Sequence, residues 1–230
     1  MIQNIKKLYG STLAAIDGEI GRVKDFYFDD KTWVIRYLVA DTGSWLSGRL
    51  VLLTPHAFGK WGQAKKELHV NLRKQQIENS PPIETHQPVS RQYELDYYNY
   101  YGWPAYWDGT GMWGIGALPV PVTPSRVLLD ARHHHHRAEK HLQSARAVNG
   151  YQIQTVDGPI GTVSGFMVDD QSWAIRELVV EAGHWYSGKE ILIAPSKVKQ
   201  INYEDSTVSV DLTKADIQNT AENHLVHSGE

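Results

Sequence analysis

The chain has no cysteine, which excludes a disulfide framework and any thiolate zinc site. It has no run approaching the roughly 18 consecutive apolar residues that cross a bilayer as a helix. Its first residues, MIQNIKKLYGSTLAAIDG, contain no apolar stretch of signal-peptide length. The expectation is a soluble, cytoplasmic protein. The short signatures that carry chemistry are missing too: there is no Gly-x-Ser-x-Gly elbow, no phosphate loop and no His-Glu-x-x-His. A catalytic site needs a nucleophile, a base or a metal within mutual reach. No motif assembles such a set, so neither an enzyme nor a bound cofactor is expected.

What is present is a duplication. Ile16 to Pro55 and Val156 to Pro195 align without a gap at an offset of 140 residues, and 19 of the 40 positions are identical. The shared residues are mostly glycines, aspartates, tryptophans and strand-type aliphatics, which specify turns and a core. Asp17-Gly18 and Asp157-Gly158 each sit between two apolar runs, a strong hairpin signal because glycine accepts positive φ. Asp29-Asp30-Lys31-Thr32 and Asp169-Asp170-Gln171-Ser172 are turns closed by short polar side chains. Trp33 to Ala40 and Trp173 to Val180 are rich in β-branched and aromatic residues and are expected as central strands anchored in the core by their tryptophans. Leu50 to Leu53 and Ile191 to Ile193 add another strand. The alternation Leu68, Val70, Leu72, with Val208, Val210, Leu212, marks a strand with one buried face. Lys74 to Asn79 and Lys214 to Asn219 carry a short helix signal. Strands this short cannot bury both sheet faces while open, and closure into a small barrel removes the edges.

The two copies differ in charge. Residues 1–80 hold 12 Lys and Arg against 8 Asp and Glu, whereas residues 148–230 hold 5 against 12. Opposite potentials steer association, so the basic first copy is expected to face the acidic second, within a chain or head to tail between two.

These residues resemble the PRC-barrel family, known from the cytoplasmic barrel of the photosynthetic reaction centre H subunit and from the ribosome maturation factor. The resemblance rests on Asp17-Gly18 with Ile20-Gly21, Asp29-Asp30 before Trp33, Leu38 to Asp41, Trp45, Gly48-Arg49 and Leu52 to Pro55, and on their counterparts in the second copy. It implies an all-β chain of two small PRC-type barrels, each of five to six strands with a short C-terminal helix. The expected boundaries are residues 1–80 and 148–220 for the barrels, 81–147 for the segment between them, and 221–230 for a tail. The membrane helix of the reaction-centre subunit and the extra N-terminal domain of the maturation factor have no counterpart here, so neither role transfers by default.

The intervening segment is crowded with Tyr93, Tyr97, Tyr98, Tyr100, Tyr101, Trp103, Tyr106, Trp107 and Trp113. Flexible linkers are poor in aromatics, so this one is expected to pack on its own barrels as a clamp, or to dock on a partner through its ring faces. Lys and Arg are scarce near the rings, which argues against stacking on single-stranded nucleic acid. Further on, Leu118 to Pro124 is expected to be extended, and His133, His134, His135 and His136 form a run between two arginines. Adjacent imidazoles can chelate zinc, nickel or copper on a mobile segment. The flanking cations and the lack of a neighbouring carboxylate favour a solvated linker instead. Arg36 and Arg176 lie within apolar strands, where a guanidinium forms an ion pair that fixes geometry or presents a fork to an anion. The candidate contact residues are Trp45, Trp185, Tyr186, Trp103 and Trp107. Together they point to a non-enzymatic binding or scaffold protein with a protein partner or self-association. The family alternative is a peripheral subunit of a membrane photosynthetic or electron-transfer complex, and a second alternative is metal binding through the histidine run.

Overall fold

The computed structural model describes residues 1–62, 65–81, 91–107, 109–114, 116–119, 142–183 and 189–219. Strands are labelled in chain order. They are β1 Ile2–Asn4, β2 Thr12–Ala15, β3 Gly18–Asp29, β4 Val34–Asp41, β5 Leu50–Leu53, β6 Phe58–Gly62, β7 Glu67–Val70, β8 Leu142–Ser144, β9 Gln152–Thr155, β10 Gly158–Asp169, β11 Ile175–Ala182, β12 Glu190–Ile193, β13 Val198–Asn202 and β14 Thr207–Val210. The helices are α1 Lys74–Glu78, α2 Arg91–Tyr101 and α3 Ala145–Val148, and residues 214–219 are also helical. Among the described residues the chain is predominantly β, in two sheets, with few short helices.

It divides into two compact units. The first contains the described residues within 7–144 together with Met1 and residues 170–174, and the second contains residues 2–6, 145–169 and those described from 175 onward. In the first unit the strand order is β5-β4-β3-β2-β7-β6, with β8 added on β3. The end strands β5 and β6 are consecutive in the chain and joined by a 3-10 turn at Pro55–Ala57. That short turn draws the two ends of the sheet together round a core that includes Leu13, Phe26, Leu38, Ala40, Val51, Leu53 and Leu68. Fully burying a side chain of this size stabilises by about 1.5–3 kcal/mol.

The second unit has the order β12-β11-β10-β9-β14-β13, with β1 added on β10. Among the described strands every pairing is antiparallel except β2 with β7 and β14 with β9. The additions are equivalent: β8 pairs Leu142, Gln143 and Ser144 with Asp29, Phe28 and Tyr27, and β1 pairs Ile2, Gln3 and Asn4 with Asp169, Val168 and Met167. The offset of 140 therefore runs from residue 2, fourteen positions before the similarity is visible in sequence.

Both tryptophans at the start of the fourth-strand motif lie outside the strand. Trp33 and Trp173 have φ of 57°, in the left-handed region that bulky residues avoid. The strands begin one and two residues later, at Val34 and Ile175. The rings hold the backbone there. Trp33, half-buried, stacks on Phe28 with centroids 5.5 Å apart. Trp173 is buried in the first unit against Phe58 at 4.8 Å and Phe26 at 6.2 Å. The Asp-Gly hairpins form as expected, and Asp17 and Asp157 each accept the backbone N–H of the lysine opening the following helix, Lys74 and Lys214.

Candidate functional site: the aromatic cover of the first barrel

Tyr93, Tyr97 and Tyr101 recur every four residues in α2, and Glu94 and Tyr98 form a second row beside them. That spacing puts both rows on one side of a helix. The helix lies on the outer face of β4 and β5. Tyr97 donates its hydroxyl to the Leu52 carbonyl at 2.9 Å, Tyr98 Oη is 3.4 Å from Thr54 Oγ1, and the Tyr37 ring meets Tyr97 edge-on at 5.6 Å. Tyr93 donates to Pro81 O at 3.0 Å and Tyr100 to Gln76 O at 2.9 Å. Gly102, at φ 67°, ends the helix and turns Trp103 back to stack on Tyr101 at 4.4 Å.

Two opposite charges are buried beneath this cover. Arg36 has a side chain only 2% exposed. It donates from Nη1 to Met112 O at 2.6 Å and from Nη2 to Thr32 Oγ1 at 3.1 Å, with Asp29 Oδ2 at 3.8 Å. Its guanidinium carbon sits 3.9 Å from the centre of the Tyr106 ring and 4.9 Å from that of Trp113, a cation held against two π faces. Burial pulls the guanidinium below its ordinary value, and Tyr106 and Asp29 oppose that pull. Glu94 is fully buried, and its Oε1 accepts from Tyr37 at 3.0 Å and Tyr106 at 2.8 Å. Tyr106 therefore joins the two charges, its hydroxyl bonded to Glu94 and its ring against Arg36. His56 packs between Trp103 and Trp113, and Trp113 donates its indole N–H to Ser172 O at 2.8 Å. Burial pushes the hydroxyls of Tyr37 and Tyr97 well above the usual tyrosine value, and those of Tyr93, Tyr98 and Tyr101 upward as well.

The residues singled out by sequence separate on this framework. Arg36 is at the centre of the cluster, as an ion held by the fold. Arg176 is exposed and pairs with Asp169 at 2.9 Å. Trp103 is buried within the aromatic cover, so its ring offers no outward face. Trp107 is half-buried, edge-on to Tyr98 and Tyr106. Trp45 is half-buried with the Lys74 ammonium 4.7 Å above its ring. Trp185, Tyr186 and His133–His136 lie outside the described residues. Sequence reasoning missed Glu94, Tyr37 and His56. The four-residue spacing from Glu94 to Tyr98 was a signal for the first, whereas nothing local marks the other two.

The second unit keeps the same strands but not the same surface. Tyr37 is replaced by Glu177 and Thr54 by Ala194, and Arg176 stands where Arg36 is buried. Leu52 is 1% exposed under α2, and its counterpart Leu192 is 48% exposed.

Chemically, the cluster in the first unit fastens one segment to another. Among the described residues, no group of three His, Asp or Glu side chains could hold a metal ion. Also among the described residues, no helix is long and apolar enough to cross a membrane. Residues 4–74 match the family model of the PRC-barrel domain. No curated protein matches the chain.

Proposed function

We propose, from the premise that residues 4–74 are a PRC-barrel domain, that this chain is a tandem-barrel scaffold of the cytoplasm that works by binding a protein partner rather than by catalysis. The observation that carries this reading is the use made of Arg36 and Glu94. A buried cation and a buried carboxyl are the usual raw material of a reactive site, and here both are spent on holding α2 and the Tyr106–Trp113 stretch to the barrel. What faces outward is contact chemistry: Trp45 under the Lys74 ammonium, with exposed Ile16 on the first copy and Val156 at the equivalent hairpin of the second.

The test is affinity purification from the native cell with Trp45→Ala and Trp185→Ala variants alongside the unaltered chain. A partner recovered with the unaltered chain and lost with either variant, at unchanged circular dichroism, supports the reading. Equal recovery with all three removes Trp45 and Trp185 as the contact. The opposite charges of the two halves favour a narrower form, head-to-tail self-association. It predicts oligomers in sedimentation at about 0.01 M salt that dissociate at about 0.5 M, as screening shortens the electrostatic reach from roughly 30 Å to below 10 Å.

A further inference from the structure

The repeat offers an internal standard for the outer face of β11 and β12, where Leu192 is exposed beside its buried cross-strand partner Val179. On the first barrel the outer face of β4 and β5 seats a helix, and the contacts that seat it are known residue by residue: Leu52 O receives Tyr97, and Tyr37 donates to Glu94. On the second barrel the equivalent positions belong to β11 and β12. Leu192, the counterpart of Leu52, is exposed, and Glu177, the counterpart of Tyr37, offers a carboxyl where the first barrel offers a hydroxyl donor.

The charge of that face is not neutral. Glu181 and Glu190 are direct cross-strand partners, and both are exposed. Like charges set opposite each other destabilise a sheet, and a cation laid over them removes that cost. The strands thus keep the register of β4 and β5 and reverse the electrostatic sign of what a helix there must bring.

We infer that the outer face of β11 and β12 seats an amphipathic helix of a partner protein, with aromatic or aliphatic side chains on Leu192 and a lysine or arginine against Glu177, the position occupied by Glu94 on the first barrel. This rests on the binding reading above and names the partner's chemistry at a second surface. The helix-in-groove mode supplies the affinity from apolar anchors and the selectivity from the charged position.

The probe is a lactam-stapled helical peptide of residues 91–103, made with its natural Glu94 and with Glu94→Lys, titrated by calorimetry into the full chain. The lysine peptide is expected to bind at least tenfold tighter than the glutamate peptide. Leu192→Asp in the full chain is expected to weaken it at least tenfold, and Glu177→Lys to reverse the preference between the two peptides. Leu192 is exposed and Glu177 half-buried, and unchanged thermal unfolding confirms that the fold is kept. Absence of binding, or binding indifferent to Leu192 and Glu177, overturns the inference. So does self-association of the chain that is abolished by Leu192→Asp, which would put a second copy on the face. Partner capture dependent on Trp45, with no peptide binding, leaves the binding reading standing and removes this one. Peptide binding that depends on Leu192 and Glu177, without Trp45-dependent capture, supports this inference and removes only Trp45 as a contact.

Discussion

Arg36 and Arg176 occupy the same place in the repeat and meet opposite surroundings. Arg36 is desolvated, and its partners are a carbonyl, a hydroxyl, a carboxylate and two rings. Arg176 keeps nearly half of its side chain in water and holds Asp169. A surface ion pair contributes about 0–1 kcal/mol, whereas removing one member of a buried charge network costs about 3–5 kcal/mol. Arg36→Ala is therefore expected to lower stability by an amount in that upper range, and Arg176→Ala by less than about 1 kcal/mol, both read from urea midpoints. The tyrosines give a pH prediction of definite sign. With their hydroxyls raised above 10.0 by burial, the folded state binds more protons than the unfolded chain once pH passes that value. Their contribution is complete below pH 10 and is lost as pH rises toward the folded values. Thermal unfolding is expected to fall steadily above pH 10. Absorbance near 295 nm is expected to show part of the tyrosine population ionising only as the protein unfolds.

At the level of elements, the long strands β3 and β10 are where the two sheets are most constrained. Gly21, at φ 133°, lies so near the end of β4 that a Cβ would stand 2.0 Å from Asp41 O, and Gly161 stands in the same relation to Glu181 O. Neither contact is relieved by rotating a side chain. Gly21→Ala and Gly161→Ala are each expected to cost at least about 3 kcal/mol, since backbone must move as well as strain be borne. Gly10 has φ 73° and open space around it, so Gly10→Ala should cost only the left-handed penalty of about 1–2 kcal/mol. Melting temperatures of the three variants separate the two causes. The hairpins, the alternating strands and the short helices were legible from the chain because turn chemistry and period two are local properties. The helix α2 was legible only in part. Its aromatics were conspicuous, but their use depends on Tyr37, Thr54 and Leu52, which lie some 40 to 60 residues earlier, and no local pattern announces that. The left-handed Trp33 and Trp173 were hidden for a related reason: a residue type that favours strands is held in a turn by rings from elsewhere.

At the level of the whole molecule, sequence order and structural membership part company. Residues 2–6 belong to the second unit, and residues 142–144 and 170–174 to the first. Duplication was plain in the residues, but exchange was not, because β1 and β8 are three residues long and Ile2-Gln3-Asn4 resembles Leu142-Gln143-Ser144 too briefly to stand out. Each half of the chain contributes a hydrogen-bonded strand to the sheet of the other. A protease site introduced within residues 120–140 is thus expected to yield two fragments that elute together in gel filtration and part only in denaturant. Fragments that separate in native buffer would show that the exchanged strands contribute little.

The exchange also sets a schedule for biosynthesis. On the ribosome the first unit has most of its strands by residue 70, yet β3 waits for residues 142–144, and the pocket between Phe26 and Phe58 waits for Trp173. The nascent chain carries an unfinished sheet edge and an unfilled apolar site through the translation of about a hundred further codons, so its most aggregation-prone interval falls in mid-synthesis.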